Sequence, residues 1–416
     1  MACTRKARWR AMLGRASVYS VLQYGQMIAD RVRMQAYADA LERAIRPGHL
    51  VLDVGTGTGI FALLACRLGA GRVVAVEPAP AIHAARALAA ANGCAERIHF
   101  VQAPLEDLDL EARADVIVAD LRGALPFSGR HLPTMRLARE RFLAPGGVLL
   151  PRRDRIHAVP VEAPELYRRH VTSWTENPWA LDLAPARELA VNALWAGGGA
   201  EAEPLASPAH LASVDYRRGP DPDLRASVDF AVERPGTAHA LCLWFDAEIA
   251  EGLGFSNAPG ERELVYGRLC LPLSRPLEVR PGERLAMALS ALLQGDDYLW
   301  SWRTTLRRAD GSVRARMQQS TFLGTPLAFD ALRKRDLEHR PELGEAARVA
   351  RFVLCQADGR RTLESIARAT AARFPARFRD ACAAAGHVGA LLERYALSAP
   401  STRLSPAREA RRARRR

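Results

Sequence analysis

Residues 50–60 read Leu50-Val51-Leu52-Asp53-Val54-Gly55-Thr56-Gly57-Thr58-Gly59-Ile60. The apolar run has the composition of a buried strand, and three alternate glycines let the backbone turn sharply against a ligand. The amphipathic stretch Phe61 to Leu68 then reads as a helix. Strand, glycine-rich turn and helix together make a nucleotide-binding opening, because a helix N-terminus presents unpaired N–H groups. The spacing narrows the ligand. A dinucleotide fingerprint requires G-x-G-x-x-G, whereas here Ile60 stands at the place of the third glycine.

The chain has 416 residues, enough for two or three domains, and 49% of them are apolar, enough for real cores. The net charge is +13, and Lys6 and Lys334 are the only lysines, so nearly all of the basic charge is arginine. Such a balance suits acidic partners. Seven cysteines are scattered without a C-x-x-C pair. They read as buried thiols of a reducing compartment, with no metal or disulfide framework. No signal core follows the basic N-terminus, and no apolar run reaches the roughly 18 residues of a membrane span. A cytoplasmic protein with no membrane association is expected.

Upstream of the glycine run, Tyr24, Met27, Asp30, Arg33 and Tyr37 recur at spacings of three and four between Val18 and Leu41, which predicts a helix able to cover the ligand mouth. Downstream, strand and helix alternate. Arg72 to Val76 is the second strand and ends in Glu77, whose carboxylate can accept from both hydroxyls of a ribose. Ile98 to Gln102 is the third strand, followed by Leu105-Glu106-Asp107. Asp115 to Ala119 is the fourth, ending at Asp120. A helix from Thr134 to Leu143 leads to a strand at Val148 to Leu150. Residues 1–150 thus read as a doubly wound, Rossmann-like α/β domain whose ligand crevice lies at the strands' C-terminal ends.

From Pro151 the texture changes to short strands punctuated by Pro, Gly and Asp. Ile156 to Val161, Ala240 to Phe245, Leu264 to Leu271 and Leu285 to Leu292 are examples. Tyr298 to Leu306 and Ser312 to Phe322 read as a hairpin across Asp310-Gly311. Residues 151–330 are therefore expected to form a β-barrel or sandwich, interrupted by a helical arm at about 163–192. A third unit, residues 341–399, holds helices at Ala346 to Ala357, Leu363 to Arg373 with Thr362 as cap, and about Ala376 to Arg394. Residues 400–416 form a basic tail.

These features together resemble the protein arginine methyltransferases, which are class I S-adenosylmethionine (SAM) methyltransferases. Met27-x-x-Asp30-x-x-Arg33-x-x-x-Tyr37 resembles the cofactor-covering helix of that family, and Asp53-x-Gly55-x-Gly57-x-Gly59 its first motif. Ala75-Val76-Glu77 resembles the ribose motif, and Leu105-Glu106-Asp107 the adenine-contacting one. Phe142-Leu143-Ala144-Pro145-Gly146-Gly147 resembles the end of the cofactor domain. Trp174 to Asn192 resembles the dimerisation arm, and Trp244-Phe245-Asp246 with Gly254-Phe255-Ser256 the barrel. The resemblance implies a SAM-dependent enzyme in which Tyr24, Met27, Arg33, Asp53, Gly55, Gly57, Thr58, Gly59, Glu77 and Glu106 hold the cofactor. Arg33 would pair its carboxylate, and a homodimer would form through the arm.

The resemblance also implies two glutamates on the loop after the fourth strand, clamping a substrate guanidinium, and a supporting Thr-His-Trp loop. Here the first position is Asp120, the second aligns near Gly129, and the supporting loop reads Glu263-Leu264-Val265-Tyr266. With Arg122 added, this pocket suits a neutral or anionic acceptor better than a guanidinium, since a cation needs converging carboxylates. Asp120 is the candidate for orienting the acceptor or taking its proton, with His131 second. Residues 352–367 resemble the winged-helix PqqD-like domains that capture leader peptides by strand addition. The expected acceptor is accordingly a peptide or protein, such as a ribosomal natural-product precursor. Arginine methylation with a rebuilt pocket and a non-catalytic SAM-binding scaffold are the alternatives. A DNA-binding helix-turn-helix and a purely structural cap are the other readings of the third unit; nucleic acid is not expected as a partner, although the basic tail does not exclude it.

Overall fold

In the computed structural model, which describes residues 19–196, 202–326, 328, 330, 333–334 and 336–396, the glycine run lies at the centre of a parallel sheet. The sheet comprises β1 (Leu50–Val54), β2 (Arg72–Val76), β3 (Ile98–Val101), β4 (Ala114–Ala119) and β5 (Leu143–Leu150), in the order β3-β2-β1-β4-β5. Asp53 is in register with Ala75 on one side and Val118 on the other. Chain order reverses across β1 and β4, so the loops leaving their ends diverge and open the crevice expected of this topology. The sheet is covered by α3 (Ile60–Arg67), α4 (Ala81–Ala91) and α5 (His131–Leu137), the last running on as a π-helical turn, Ala138–Phe142. In β5, Pro145-Gly146-Gly147 leaves the ladder, and pairing with β4 resumes at Val148.

The helix expected from Val18 to Leu41 is two helices, α1 (Val21–Ala29) and α2 (Arg31–Ala44). Helical periodicity does not register a break that preserves its phase. Asp30 makes the break: it leaves helical geometry (ψ 88°) and caps α2 by accepting from Arg33 N at 3.2 Å. Its other carboxylate oxygen accepts from Val265 N at 2.9 Å.

The antiparallel region consists of two hydrogen-bonded sheets. The larger runs β7-β13-β11-β6-β8, with β7 at Trp195–Ala196 and β8 at Glu203–Pro204, and it carries β12 (Leu253–Ser256) on β11 and β9 (Ala209–Asp215) on β6. Its spine, β11 (Gly236–Ala250), pairs with β6 (Arg153–Glu162) and β13 (Leu269–Val279). Leu241, Leu243 and Phe245 of β11 enter the main core, while Cys242 and Trp244 enter a second cluster with Val159, Leu166 and Trp195. Two buried faces explain an apolar run without alternation. The strand expected at Leu264 starts instead at Leu269, because residues 264–268 turn through Gly267 at φ +63°. The smaller sheet holds β10 (Leu224–Ala231), β14 (Arg284–Gln294), β15 (Asp297–Arg307) and β16 (Val313–Ser320). Its hairpin turns at Asp310-Gly311, as the sequence predicts. The helical arm carries α6 (Pro164–His170) and α7 (Ala184–Ala190).

The chain divides into two compact units, residues 1–326 and 327–416. The second packs α8 (Glu345–Cys355), α9 (Leu363–Arg373) and α10 (Ala381–Tyr395) around Val349, Val353, Ile366, Phe378 and Val388. Thr362 caps α9, as expected, accepting from Ser365 N at 3.2 Å. The last helix starts later than residue 376, at the Asp380 cap, which accepts from Ala383 N at 2.7 Å. Among the described residues this unit contains no strand, so the winged-helix expectation finds no wing and no edge for strand addition there. The basic tail lies outside the described residues.

Candidate active site

All three glycines of the opening motif adopt left-handed backbone, Gly55 at φ +70°, Gly57 at +54° and Gly59 at +84°. Side chains avoid that region. A Cβ on Gly57 would overlap the Tyr24 ring, and one on Gly55 the Leu121 side chain. Thr58, between Gly57 and Gly59, is buried. Asp53 Oδ2 accepts from Thr56 Oγ1 at 2.5 Å and Ala62 N at 3.0 Å, which ties the turn to the first turn of α3. Its Oδ1 is buried without a partner. Burial drives the Asp53 carboxyl up to about 7, against those hydrogen bonds. At the tip of β2, Glu77 accepts from Gly57 N at 3.0 Å and Ala79 N at 2.8 Å. Burial raises its pKa as well, the two N–H donors opposing.

Tyr24 on α1 lies against the glycine turn. Arg33, 5% exposed, gathers the surrounding elements. Its Nη1 donates to the Met27 carbonyl at 3.2 Å, and its Nε donates to Asp120 Oδ2 at 2.6 Å and to Tyr266 OH at 3.1 Å. The guanidinium also lies 5.2 Å from the centre of the Phe61 ring. Sequence reasoning placed Arg33 and Asp120 in separate roles; the structure joins them. Glu106 stands apart on a 3₁₀ turn, 45% exposed, and accepts from Arg130 Nη2 at 3.1 Å.

Asp120 is the hinge of a larger buried network. Its Oδ2 also accepts from Tyr266 OH at 2.6 Å, and its Oδ1 accepts from Arg122 Nε at 3.3 Å. Burial alone would raise its pKa, but Arg33 and Arg122 outweigh it and hold the carboxyl below the usual range. Arg122, which has no side-chain exposure, donates from Nη1 to Asp154 Oδ1 at 2.6 Å and from Nη2 to Tyr37 OH at 2.5 Å. The rings of Phe245, Phe255 and Tyr266 surround it at 5.2–5.7 Å. Tyr216 OH donates to Asp154 Oδ2, and His131 Nε2 lies 2.8 Å from the same hydroxyl. His131 is therefore no solvent-facing loop residue: burial, with Arg122 adding, lowers it to about 3 and keeps it neutral.

Two guanidiniums and two carboxylates balance in this network, a compensation that buried charges require. Sequence reasoning missed Asp154, Tyr216 and the role of Tyr37. Asp154 had one usable signal, an acid alternating with the apolar Ile156 and Ala158 along its strand; Tyr216 had none. Gly129, near which the sequence aligns the second carboxylate position, adopts φ +51°.

The residues fit a nucleoside-bearing cofactor. A backbone cradle that any side chain would fill, an unpartnered buried carboxylate oxygen at Asp53 and an acid at the tip of β2 are the donor and acceptor set that such a ligand needs. Comparison with known proteins agrees. Residues 35–124 match the family described as ribosomal protein L11 methyltransferase (PrmA). An arginine N(omega)-methyltransferase from Streptomyces achromogenes subsp. streptozoticus is 31% identical over 284 residues, which are 63% of this chain and 74% of that protein. A probable histone-arginine methyltransferase from Oryza sativa subsp. indica is 29% identical over 64% of this chain, which spans 53% of that longer protein. Protein arginine methyltransferase 10 of Arabidopsis thaliana superposes with a TM-score of 0.64 at 21% identity, over 72% of this chain and 97% of that one. A Trypanosoma brucei enzyme–prozyme complex with AdoHcy gives the same TM-score at 20% identity, over 71% of this chain and 97% of that one. The chain belongs to the arginine methyltransferase family and is a SAM-dependent methyltransferase.

Proposed function

We propose that this enzyme methylates a neutral or anionic nucleophile on a peptide or protein, not a guanidinium. One observation carries the reading: Asp120, the carboxylate that would receive a substrate cation, is already bound by two of the chain's own guanidiniums, Arg33 and Arg122. Gly129 supplies no second carboxylate. A third guanidinium would enter a site whose negative charge is spent.

SAM supplies an electrophilic methyl group carried on a sulfonium. The chain's part is to hold the reactants in line and keep water out. Gly55, Gly57 and Gly59 admit the cofactor to the backbone, with Asp53 and Thr58 shaping the turn. Glu77 accepts from the ribose, Glu106 from the adenine, and Tyr24 and Met27 on α1 close over it. Arg33 would face the cofactor's carboxylate while its Nε stays on Asp120. Asp120 orients the acceptor by accepting its hydrogen bond. With a depressed pKa it lies far from the near-neutral value that makes a strong general base.

The likeness of residues 352–367 to peptide-capturing domains supports a peptide acceptor, and we favour a ribosomal natural-product precursor. With three helices and no strand among that unit's described residues, capture would use a helical face. Trp174, Trp179 and Leu181 on the arm are 39%, 72% and 58% exposed, apolar area that a two-fold homodimer would cover. A second reading, arginine methylation in a rebuilt pocket, is favoured by the names of the relatives. Labelled SAM with a panel of peptides separates the readings. Transfer to a non-arginine side chain supports the first and transfer to arginine the second; SAM binding without transfer would leave a scaffold.

A further inference from the structure

We propose that the outer face of the four-stranded sheet is a docking surface for an acidic, extended segment of a partner polypeptide. The proposal is independent of which nucleophile is methylated. On this face β14 presents the short side chains Ala286, Ala288 and Ser290, and Ser227 and Ser301 beside them are short as well, which leaves a shallow trough. The hollow over Ala288 and Ser290 measures about 380 Å³, and another of about 290 Å³ continues it past Ala286.

The trough is edged by cations. Arg225 of β10 is in register with Ser290, Arg303 of β15 with Ala288, and Arg316 of β16 with Thr305, which itself faces Ala286. Successive same-face residues on a strand are about 6.6–6.8 Å apart. The two arginines that line the hollow, Arg225 and Arg303, thus stand on opposite sides of β14 one such repeat apart, the repeat at which an extended peptide presents alternate side chains to one side; Arg316 lies one strand farther out. A Glu-x-Glu segment laid along β14 would meet Arg225 at one step and Arg303 at the next. Among the described residues no carboxylate pairs with Arg225, Arg303 or Arg316, and all three are exposed. By contrast, Arg284 and Arg314 at one end are paired with Asp229 and Glu283.

A polynucleotide is the rival anion. Single strands bind on aromatic platforms, and the aromatic residues of β15, Tyr298, Trp300 and Trp302, all face inward at 8%, 2% and 1% exposure. The observations favour the peptide.

The test measures fluorescence anisotropy of a labelled oligo-glutamate peptide with the full chain and with the Arg225→Glu/Arg303→Glu variant. Melting temperature and SAM affinity serve as controls for folding. The expected result is binding that weakens by at least about tenfold in the variant, with none for oligo-lysine. Should the charge reversal lower the melting temperature, Arg225→Gln/Arg303→Gln is expected to weaken binding in the same direction. Equal affinity of variant and wild type would overturn the proposal. So would oligothymidine binding that is lost with the same two arginines, which would make the face a polynucleotide site.

Discussion

Arg122 and Asp154 form a 2.6 Å ion pair in which neither side chain touches water, joining the loop after β4 to the first antiparallel strand. A guanidinium can occupy such a place only while its carboxylates remain. Arg122→Met is expected to destabilise the protein by about 3–5 kcal/mol, because it leaves Asp154 buried and uncompensated. Arg122→Met/Asp154→Leu should recover much of that loss, since an apolar pair of similar volume needs no compensation. Chemical denaturation of both variants measures the coupling. Simple additivity of Arg122→Met and Asp154→Leu would show that the pair does not act as a unit.

The glycine turn makes a separate prediction. Gly57→Val places a branched side chain at φ +54° and into the Tyr24 ring, while Glu77→Ala removes the acceptor for Gly57 N and Ala79 N. Each is expected to weaken SAM binding by at least about tenfold, a loss of roughly 1.4 kcal/mol or more. Calorimetric titration checks it, and unchanged affinity in both would refute the cofactor site.

His131 and Asp53 give opposing pH dependences. Below about pH 6.5 the unfolded chain binds a proton at His131 that the folded protein refuses until about pH 3. This contribution to stability is present at neutral pH and falls by about 1.4 kcal/mol per unit as the pH drops through that window. Asp53, raised to about 7, keeps its proton in the folded state from about pH 4 upward. Its contribution is present at low pH and is lost as the pH rises toward 7. The two slopes offset each other between about pH 4 and 6.5. In His131→Asn only the Asp53 slope remains, so the variant should gain about 2 kcal/mol relative to wild type between pH 6.5 and 5. Denaturant titrations at the two pH values measure it; a pH-independent difference would place the histidine in contact with solvent.

Much of this was legible in the sequence, and what was not has a physical reason. The strand–glycine–helix opening, Glu77 at the strand tip, the Thr362 cap and the Asp310-Gly311 turn are local signals, each carried by residues a few positions apart. The break at Asp30 was hidden because the flanking helices stay in phase. The Arg33–Asp120 pair spans 87 positions and the His131–Tyr216 contact 85. No periodicity encodes such pairings; only the closure of one sheet over another brings them together. Arg122 was read as an added charge in an acceptor pocket, whereas the structure gives it a buried partner of its own.

The arm carries a prediction about assembly. Trp179 is 72% exposed and Leu181 58%. If they form the centre of a two-fold interface, Trp179→Glu should shift the protein from dimer to monomer in light scattering at micromolar concentration. SAM affinity should stay within about twofold, since the arm carries none of the residues that form the glycine turn. A dimer that persists in the variant would place the interface elsewhere.

The most direct test of the central claim is the position of the transferred methyl group. Labelled SAM, the full chain and a mixed peptide panel would be incubated, and the modified side chain located by fragmentation mass spectrometry. With Asp120 bound by Arg33 and Arg122, the mark is expected on a nucleophile other than a guanidinium nitrogen. A methylated arginine side chain would contradict it.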